Sequence, residues 1–343
     1  MMQKTVFIIG AGASKEVGLP VGSELKSSII GLLDIGYDYS KQISGDYLIA
    51  CALRVHSREF EADFNRYIEA ALHIKKALPL AISIDNFMDA HRDNQEITLC
   101  GKLAVVRSIL HEESKSKLFY EKRRIDETID YGPIEDTWFI SFFKLVTENC
   151  HVKELEERFK NITLIIFNYD RCIEHFMFHA LKTYYGISND DASKLVKLIN
   201  IYHPYGSVGA LSWYDHHGSM EYGKEPNAEQ LLELVKKIKT FTEGTNPSES
   251  NILEIKGHLS KANRVVFMGF AFHKQNLELI APERANGVNF NPKCYASTYL
   301  ISESDRERVK SQINNLFGAT INTKMSNLTC HNFLKEYWRS LAF

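Results

Sequence analysis

The first fourteen residues constrain this chain more than any other stretch: the run Thr5-Val6-Phe7-Ile8-Ile9 stops abruptly at Gly10-Ala11-Gly12-Ala13-Ser14. An unbroken series of β-branched and aromatic residues suits a strand buried on both faces, which is the central position of a parallel sheet. A Gly-x-Gly turn between such a strand and a helical stretch lets the backbone approach a diphosphate closely, with helix N-terminal N–H groups aimed at it. The same glycines would equally serve a tight strand-to-helix turn that binds nothing. The next glycine is Gly18, in Gly18-Leu19-Pro20, instead of three positions after Gly12 as in the usual dinucleotide fingerprint.

Comparable apolar runs recur at 162–167, 198–202, 265–268 and 295–301, each bounded by polar or glycine residues. Between the first strand and residue 160 the apolar spacing is instead helical, as in Phe60, Phe64, Tyr67, Ile68 and Ala71, and again in Leu103, Val106, Ile109 and Leu110. No strand is expected in that interval. Further helices are expected over 170–184, 228–241 and 305–317, which gives the strand and helix alternation of a doubly wound fold. A turn-rich loop is expected at 242–248. The expectation is an α/β protein with a Rossmann-like doubly wound parallel sheet. Its core takes 1–38 and 160–325, a large helical insertion or cap takes 39–159, and a C-terminal helix over 326–343 packs on the core. A chain of 343 residues can bury a core large enough to fold without covalent staples.

Charge excludes little. Lys and Arg number 41 against 43 Asp and Glu, so no global basic field argues for nucleic acid. Lys115-Ser116-Lys117 and Glu121-Lys122-Arg123-Arg124 form a local basic segment, read as a solvated helix face, and direct nucleic-acid binding is not expected. The six cysteines are scattered singly, with no CxxC pair for a zinc site or a redox dithiol, and read as reduced thiols. The N-terminal apolar run is too short for a signal peptide and no stretch is long enough to span a bilayer, so a cytoplasmic protein is expected.

Three further motifs follow apolar runs. Phe167-Asn168-Tyr169-Asp170 places two polar side chains at the strand end where open α/β sheets bind ligands, although either could simply cap the next helix. In His203-Pro204-Tyr205-Gly206-Ser207 a turn holds an imidazole at the same edge, a natural general base; a lone histidine is more often a structural residue, and His216-His217 and His273 draw the same attention. Met268-Gly269-Phe270-Ala271-Phe272 permits another backbone approach to a ligand, or a packing contact beneath a helix.

In this order the four motifs resemble those of the sirtuin superfamily. Its GAGxS with a following glycine-isoleucine-proline turn is matched by Gly10 to Ser14 with Gly18-Leu19-Pro20. Asn168-Tyr169-Asp170 stands for the family's asparagine-isoleucine-aspartate, His203 with Gly206-Ser207 for its histidine-glycine-serine, and Gly269-Phe270-Ala271, loosely, for glycine-threonine-serine. Two departures stand out. No cysteine lies between His203 and Val265, so the four-cysteine zinc module of the protein deacylases is missing and no metal is expected. Val21-Gly22-Ser23 replaces the family's aspartate-phenylalanine-arginine.

What remains is similar to the sirtuin-like NAD-hydrolysing proteins of bacterial anti-phage defence. Ser83 to Met88 followed by Gly101-Lys102-Leu103-Ala104 resembles the helical part of members encoded beside a HerA-type ATPase. The resemblance implies an NAD+ glycohydrolase that takes NAD as substrate and is controlled by homo-oligomerisation or by a partner ATPase. In it the diphosphate lies over Gly10, Ala11, Gly12 and Ser14; Asn168 orients the ribose and water; Asp170 binds the carboxamide; and His203 is the base, with Gly206, Ser207 and Gly269 lining the cofactor. The adenosine ribose is expected near Ser302-Glu303. The alternative is a sensor subunit that binds NAD or ADP-ribose without turning it over.

Overall fold

The computed structural model describes residues 3–121, 128–215, 219–245, 251–282, 291–317 and 321–343. Its strands in chain order are β1 (Thr5–Ile9), β2 (Gly36–Asp38), β3 (Lys41–Ser44), β4 (Ile162–Ile166), β5 (Asn200–Tyr202), β6 (Arg264–Met268), β7 (Lys293–Ser297) and β8 (Lys324–Ser326). Six of them form one all-parallel sheet in the order β5-β4-β1-β6-β7-β8, while β2 and β3 form a separate antiparallel hairpin. β1 is buried at every residue, as its unbroken apolar sequence requires. Its register sets Ile9 opposite both Ile166 of β4 and Met268 of β6. The three strands therefore end level, and Gly10, Phe167 and Gly269 emerge together at one edge of the sheet.

Helices cover both faces. They are α1 (Ala11–Ser14), α2 (Gly22–Leu32), α3 (Tyr47–Glu59), α4 (Phe64–Ala77), α5 (Ile84–Ala90), α6 (Gln95–Glu113), α7 (Trp138–Thr147), α8 (Leu155–Phe159) and α9 (Cys172–Tyr185), followed by α10 (Asn189–Val196), α11 (Ala228–Val235), α12 (Phe241–Thr245), α13 (Ile252–Ser260), α14 (Lys274–Leu279), α15 (Glu303–Phe317), α16 (Cys330–Glu336) and α17 (Trp338–Leu341). The two-residue period of β1 divides the core. Val6 and Ile8 face the layer of α2 to α6, α11 and α13 to α15. Phe7 and Ile9 face α7 to α10, α16 and α17, with the Phe7 and Phe142 rings edge-on at 5.2 Å. The stretch expected as a helical insertion is thus shared between both layers. α7, whose apolar residues run round most of its circumference, lies directly on the sheet with α8, α9 and α16 packed around it.

Several sequence expectations need correcting. The hairpin β2–β3 lies where no strand was expected, because its polar, half-exposed sequence has no apolar period; Tyr37 anchors it by packing edge-on to Phe64, with the Arg54 guanidinium 5.0 Å from its ring centre. The short β8 is likewise recruited by pairing with β7, and the C-terminal stretch 326–343 forms two helices in place of one. The strand expected over 295–301 ends at Ser297, beyond which Leu300 turns into the left-handed region and is 83% exposed. Phe60 closes α3 while Phe64 opens α4, so that apolar pattern spans two helices. The helix expected over 228–241 stops at Val235, because Ile238 leaves to bridge with Gly206. Of the expected loop 242–248, residues up to 245 are helical and 246–248 lie outside the described residues. No helix among the described residues is long and apolar enough to cross a membrane.

Candidate functional site at the level ends of β1, β4 and β6

The glycine turn after β1 is locked to the turn after β6. Gly10 N–H donates to the Met268 carbonyl and Gly12 N–H to the Gly269 carbonyl, both at 3.0 Å. A Cβ on Gly10 would lie 2.5 Å from the Gly269 carbonyl oxygen, and one on Gly269 would lie 2.1 Å from Ala13 N. Gly269 also adopts φ +58°, which side chains other than glycine seldom tolerate. Gly10, Gly12 and Gly269 therefore have a packing reason for being glycine, independent of any ligand. Ala11, Gly12 and Gly269 remain half-buried at the surface of the edge, whereas the Ser14 side chain is buried.

The polar chemistry is gathered beside this knot, at the end of β4. Asn168 is 6% exposed; its Nδ2 donates to Ser14 Oγ at 2.9 Å, and its Oδ1 is buried without a partner. The His203 ring sits across from it, with Nδ1 3.1 Å from the Asn168 carbonyl oxygen and Nε2 2.8 Å from Glu174 Oε1. A carbonyl and a carboxylate both accept, so both ring nitrogens are placed to donate, and the arrangement favours imidazolium. Burial works most strongly against that charge, but the Glu174 carboxylate, together with the Asn168 carbonyl and Asp170, outweighs it and holds the His203 pKa above its ordinary value. The other oxygen of Glu174 is buried and unpaired.

Asp170 does what a helix cap does: its carboxylate accepts from Cys172 N–H at 3.1 Å at the start of α9, and it also adds negative charge near His203. Between Asn168 and Asp170, the Tyr169 hydroxyl donates to the Asp85 carboxylate in the first turn of α5, tying the first helical layer to the site. Burial raises the Asp85 pKa, opposed by the Tyr169 hydroxyl and by His273 nearby. Next along the chain, Arg171 is 2% exposed and forms a bidentate pair with Glu113 at the end of α6, at 3.1 and 2.5 Å, with Nη1 donating to the Met220 carbonyl at 2.5 Å. This buried fork fixes the segment from β4 to α9 against α6 and the backbone of Gly209, Ala210, Met220 and Glu221.

Other expected site residues have different surroundings. Gly206 has φ +75°, and a Cβ there would lie 1.8 Å from the Lys237 carbonyl oxygen, so the close strand crossing at Ile238 requires glycine. Ser207 is half-buried beside it. Ser302 and Glu303 lie beyond the end of β7, where Ser302 Oγ accepts from Asp305 N–H and caps α15. Val21-Gly22-Ser23 opens α2, with Val21 N–H donating to Glu24. In the local basic segment Lys115 is an exposed partner of Glu112, and Lys122-Arg123-Arg124 lie outside the described residues, as do His216-His217. Glu174, Asp85 and the Arg171–Glu113 pair were not singled out by sequence reasoning. The one local signal for Glu174 is its place in the first turn of the helix that leaves the binding edge. No family model matches this chain, and no curated protein matches it.

Proposed function

We propose that this chain hydrolyses the nicotinamide glycosidic bond of NAD, giving ADP-ribose and nicotinamide. The observation that carries the reading is the cluster of Ser14, Asn168, His203 and Glu174 at the level ends of the central strands, with a buried Asn168 Oδ1 that has no partner among the described residues. The strand order is that of Rossmann dinucleotide-binding folds, in which ligands sit where the order reverses, here beside β1.

In this reading the diphosphate approaches Ala11 and Gly12, and Asn168 Oδ1 accepts from a ribose hydroxyl or the attacking water. Nicotinamide departs as a neutral ring with the bonding electron pair, leaving an oxocarbenium-like carbon among the carboxylates of Asp170 and Glu174. Fixed negative charge at that point favours the transition state electrostatically. Water adds to the carbon and its proton passes to the His203–Glu174 pair at the unpaired Glu174 Oε2, because both ring nitrogens of the imidazolium already carry protons. By its resemblance to NAD-depleting defence proteins, the chain would act in anti-phage defence, restrained by assembly or by a HerA-type ATPase.

One observation favours a second reading, a sensor that binds NAD or ADP-ribose without turnover: both His203 nitrogens are already engaged. The two separate when purified protein is incubated with NAD, alone and with a HerA-type ATPase, and nicotinamide is followed by chromatography for wild type, Asn168→Ala and His203→Ala. Release by wild type alone supports the hydrolase. Equal release by all three removes the site assignment, and no release with retained NAD affinity supports the sensor.

A further inference from the structure

At the opposite edge of the sheet from Asn168, a cavity of about 830 Å³ opens where β6, β7 and β8 begin. Each of these strands starts with a cation: Arg264, Lys293 and Lys324. Arg264 and Lys293 are register partners on neighbouring strands, so their side chains leave the same face side by side. Lys324 pairs in register with Tyr295, and its Nζ lies 5.8 Å from the Tyr295 ring centre on that same face. Arg339 of α17 completes the lining, with the amide side chains of Gln3, Asn291 and Asn322. Among the described residues no Asp or Glu side chain lines this cavity.

Arg264 is the unusual member. It is 2% exposed, and among the described residues its guanidinium is held by neutral groups: Nε donates to Thr5 Oγ1 at 2.9 Å, Nη1 to the carbonyls of Ser340 and Ala342 at 3.1 and 2.9 Å, and Cζ lies 5.0 Å from the Phe343 ring centre. Nη2 is buried with no partner. A buried cation without a counter-charge is costly, and like charges directly opposite in a sheet repel. Both costs fall when an anion enters.

We propose that this basin binds a polyphosphorylated small molecule, with its phosphates above Arg264 and between Lys293, Lys324 and Arg339. The cavity is larger than one phosphate needs and falls in the size range of small-molecule sites. Three of the four cations are exposed at the rim, where they can meet the outer phosphates while the guanidinium supplies fixed charge beneath. The site is separate from the Asn168 cluster, which lies at the other end of the same strands.

Calorimetric titration of the full chain with inorganic tripolyphosphate tests this, because the probe has no base or ribose to engage the glycine edge. Saturable binding is expected, with the same affinity in Asn168→Ala. Combined Lys293→Ala, Lys324→Ala and Arg339→Ala should weaken it by about a hundredfold, and these exposed positions leave the core intact. Arg264→Gln, if it folds, should weaken it as well. ADP in parallel shows whether a nucleoside adds affinity at the basin: a gain lost in the triple variant supports a nucleotide, and a gain that persists in it places the nucleoside elsewhere and leaves tripolyphosphate as the measure. Absence of tripolyphosphate binding, an affinity unchanged in the triple variant, or binding of duplex DNA alone would overturn the proposal.

Discussion

The turns that follow β1 and β4 lie next to each other at the same edge, yet they use their polar groups in opposite ways. The turn after β1 spends its backbone on another turn: the Gly10 and Gly12 N–H groups both go to the segment after β6, and the missing side chains make room for that contact. The turn after β4 keeps side chains with unused capacity, Asn168 Oδ1 and, across His203, Glu174 Oε2. The glycine pattern that first suggests a ligand therefore also marks a packing knot, and the unsatisfied polar groups collect beside it. Backbone locking and unsatisfied side-chain polar groups belong to different strand ends.

The largest effect should come from the knot. Gly269→Ala forces a Cβ to within 2.1 Å of Ala13 N at φ +58°, and a loss of more than about 3 kcal/mol is expected by chemical denaturation, since backbone must move. A loss below 1 kcal/mol, roughly, would show that the two turns are not locked. In the second turn the balance reverses. Asn168→Ala should cost only about 1 kcal/mol in stability, since a single hydrogen bond to Ser14 is lost, while NAD cleavage falls by about 100-fold or more if the amide orients the reacting groups. Comparable losses in stability for the two variants would erase the distinction.

A smaller effect reads the charge on His203. The folded protein holds its pKa above 6.5 through Glu174, against the downward pull of burial. Its stabilising contribution is therefore complete below pH 6.5 and is lost as pH rises through the raised value. Glu174→Gln leaves burial as the stronger influence, so the His203 midpoint in an NMR titration should fall below 6.5, and stability should then rise with pH through that region. An unchanged midpoint would remove Glu174 from the site. The smallest effect is expected at Lys15, beside the glycine turn, whose ion pair with Glu24 is half-exposed. Lys15→Ala should change stability by less than about 1 kcal/mol, and a larger loss in thermal unfolding would mean that the first turn depends on side chains after all.

Much of the frame was legible locally. The unbroken apolar runs at β1, β4 and β6 can be buried on both faces only in the middle of a parallel sheet, and Asn168 and His203 stood out because each follows such a run. The hairpin β2–β3 was not legible, since Gly36-Tyr37-Asp38 and Lys41 to Ser44 have no apolar period and hold their shape through pairing. Neither was the way residues 39–159 divide between the two faces of the sheet, because α7 looks like any apolar helix until Phe142 is seen against Phe7.

By itself, then, the sequence determined which segments become the central strands β1, β4 and β6 and where glycine sits after β1 and β6, because burial and backbone freedom are properties of a few consecutive residues. Only the tertiary structure decided what those glycines pack against and which side chains meet. Ser14 meets Asn168 across 154 residues of chain, Arg171 meets Glu113 across 58 and His203 meets Glu174 across 29. Whether a polar atom is satisfied, as the Gly12 N–H is and the Asn168 Oδ1 is not, depends on partners brought in from that distance.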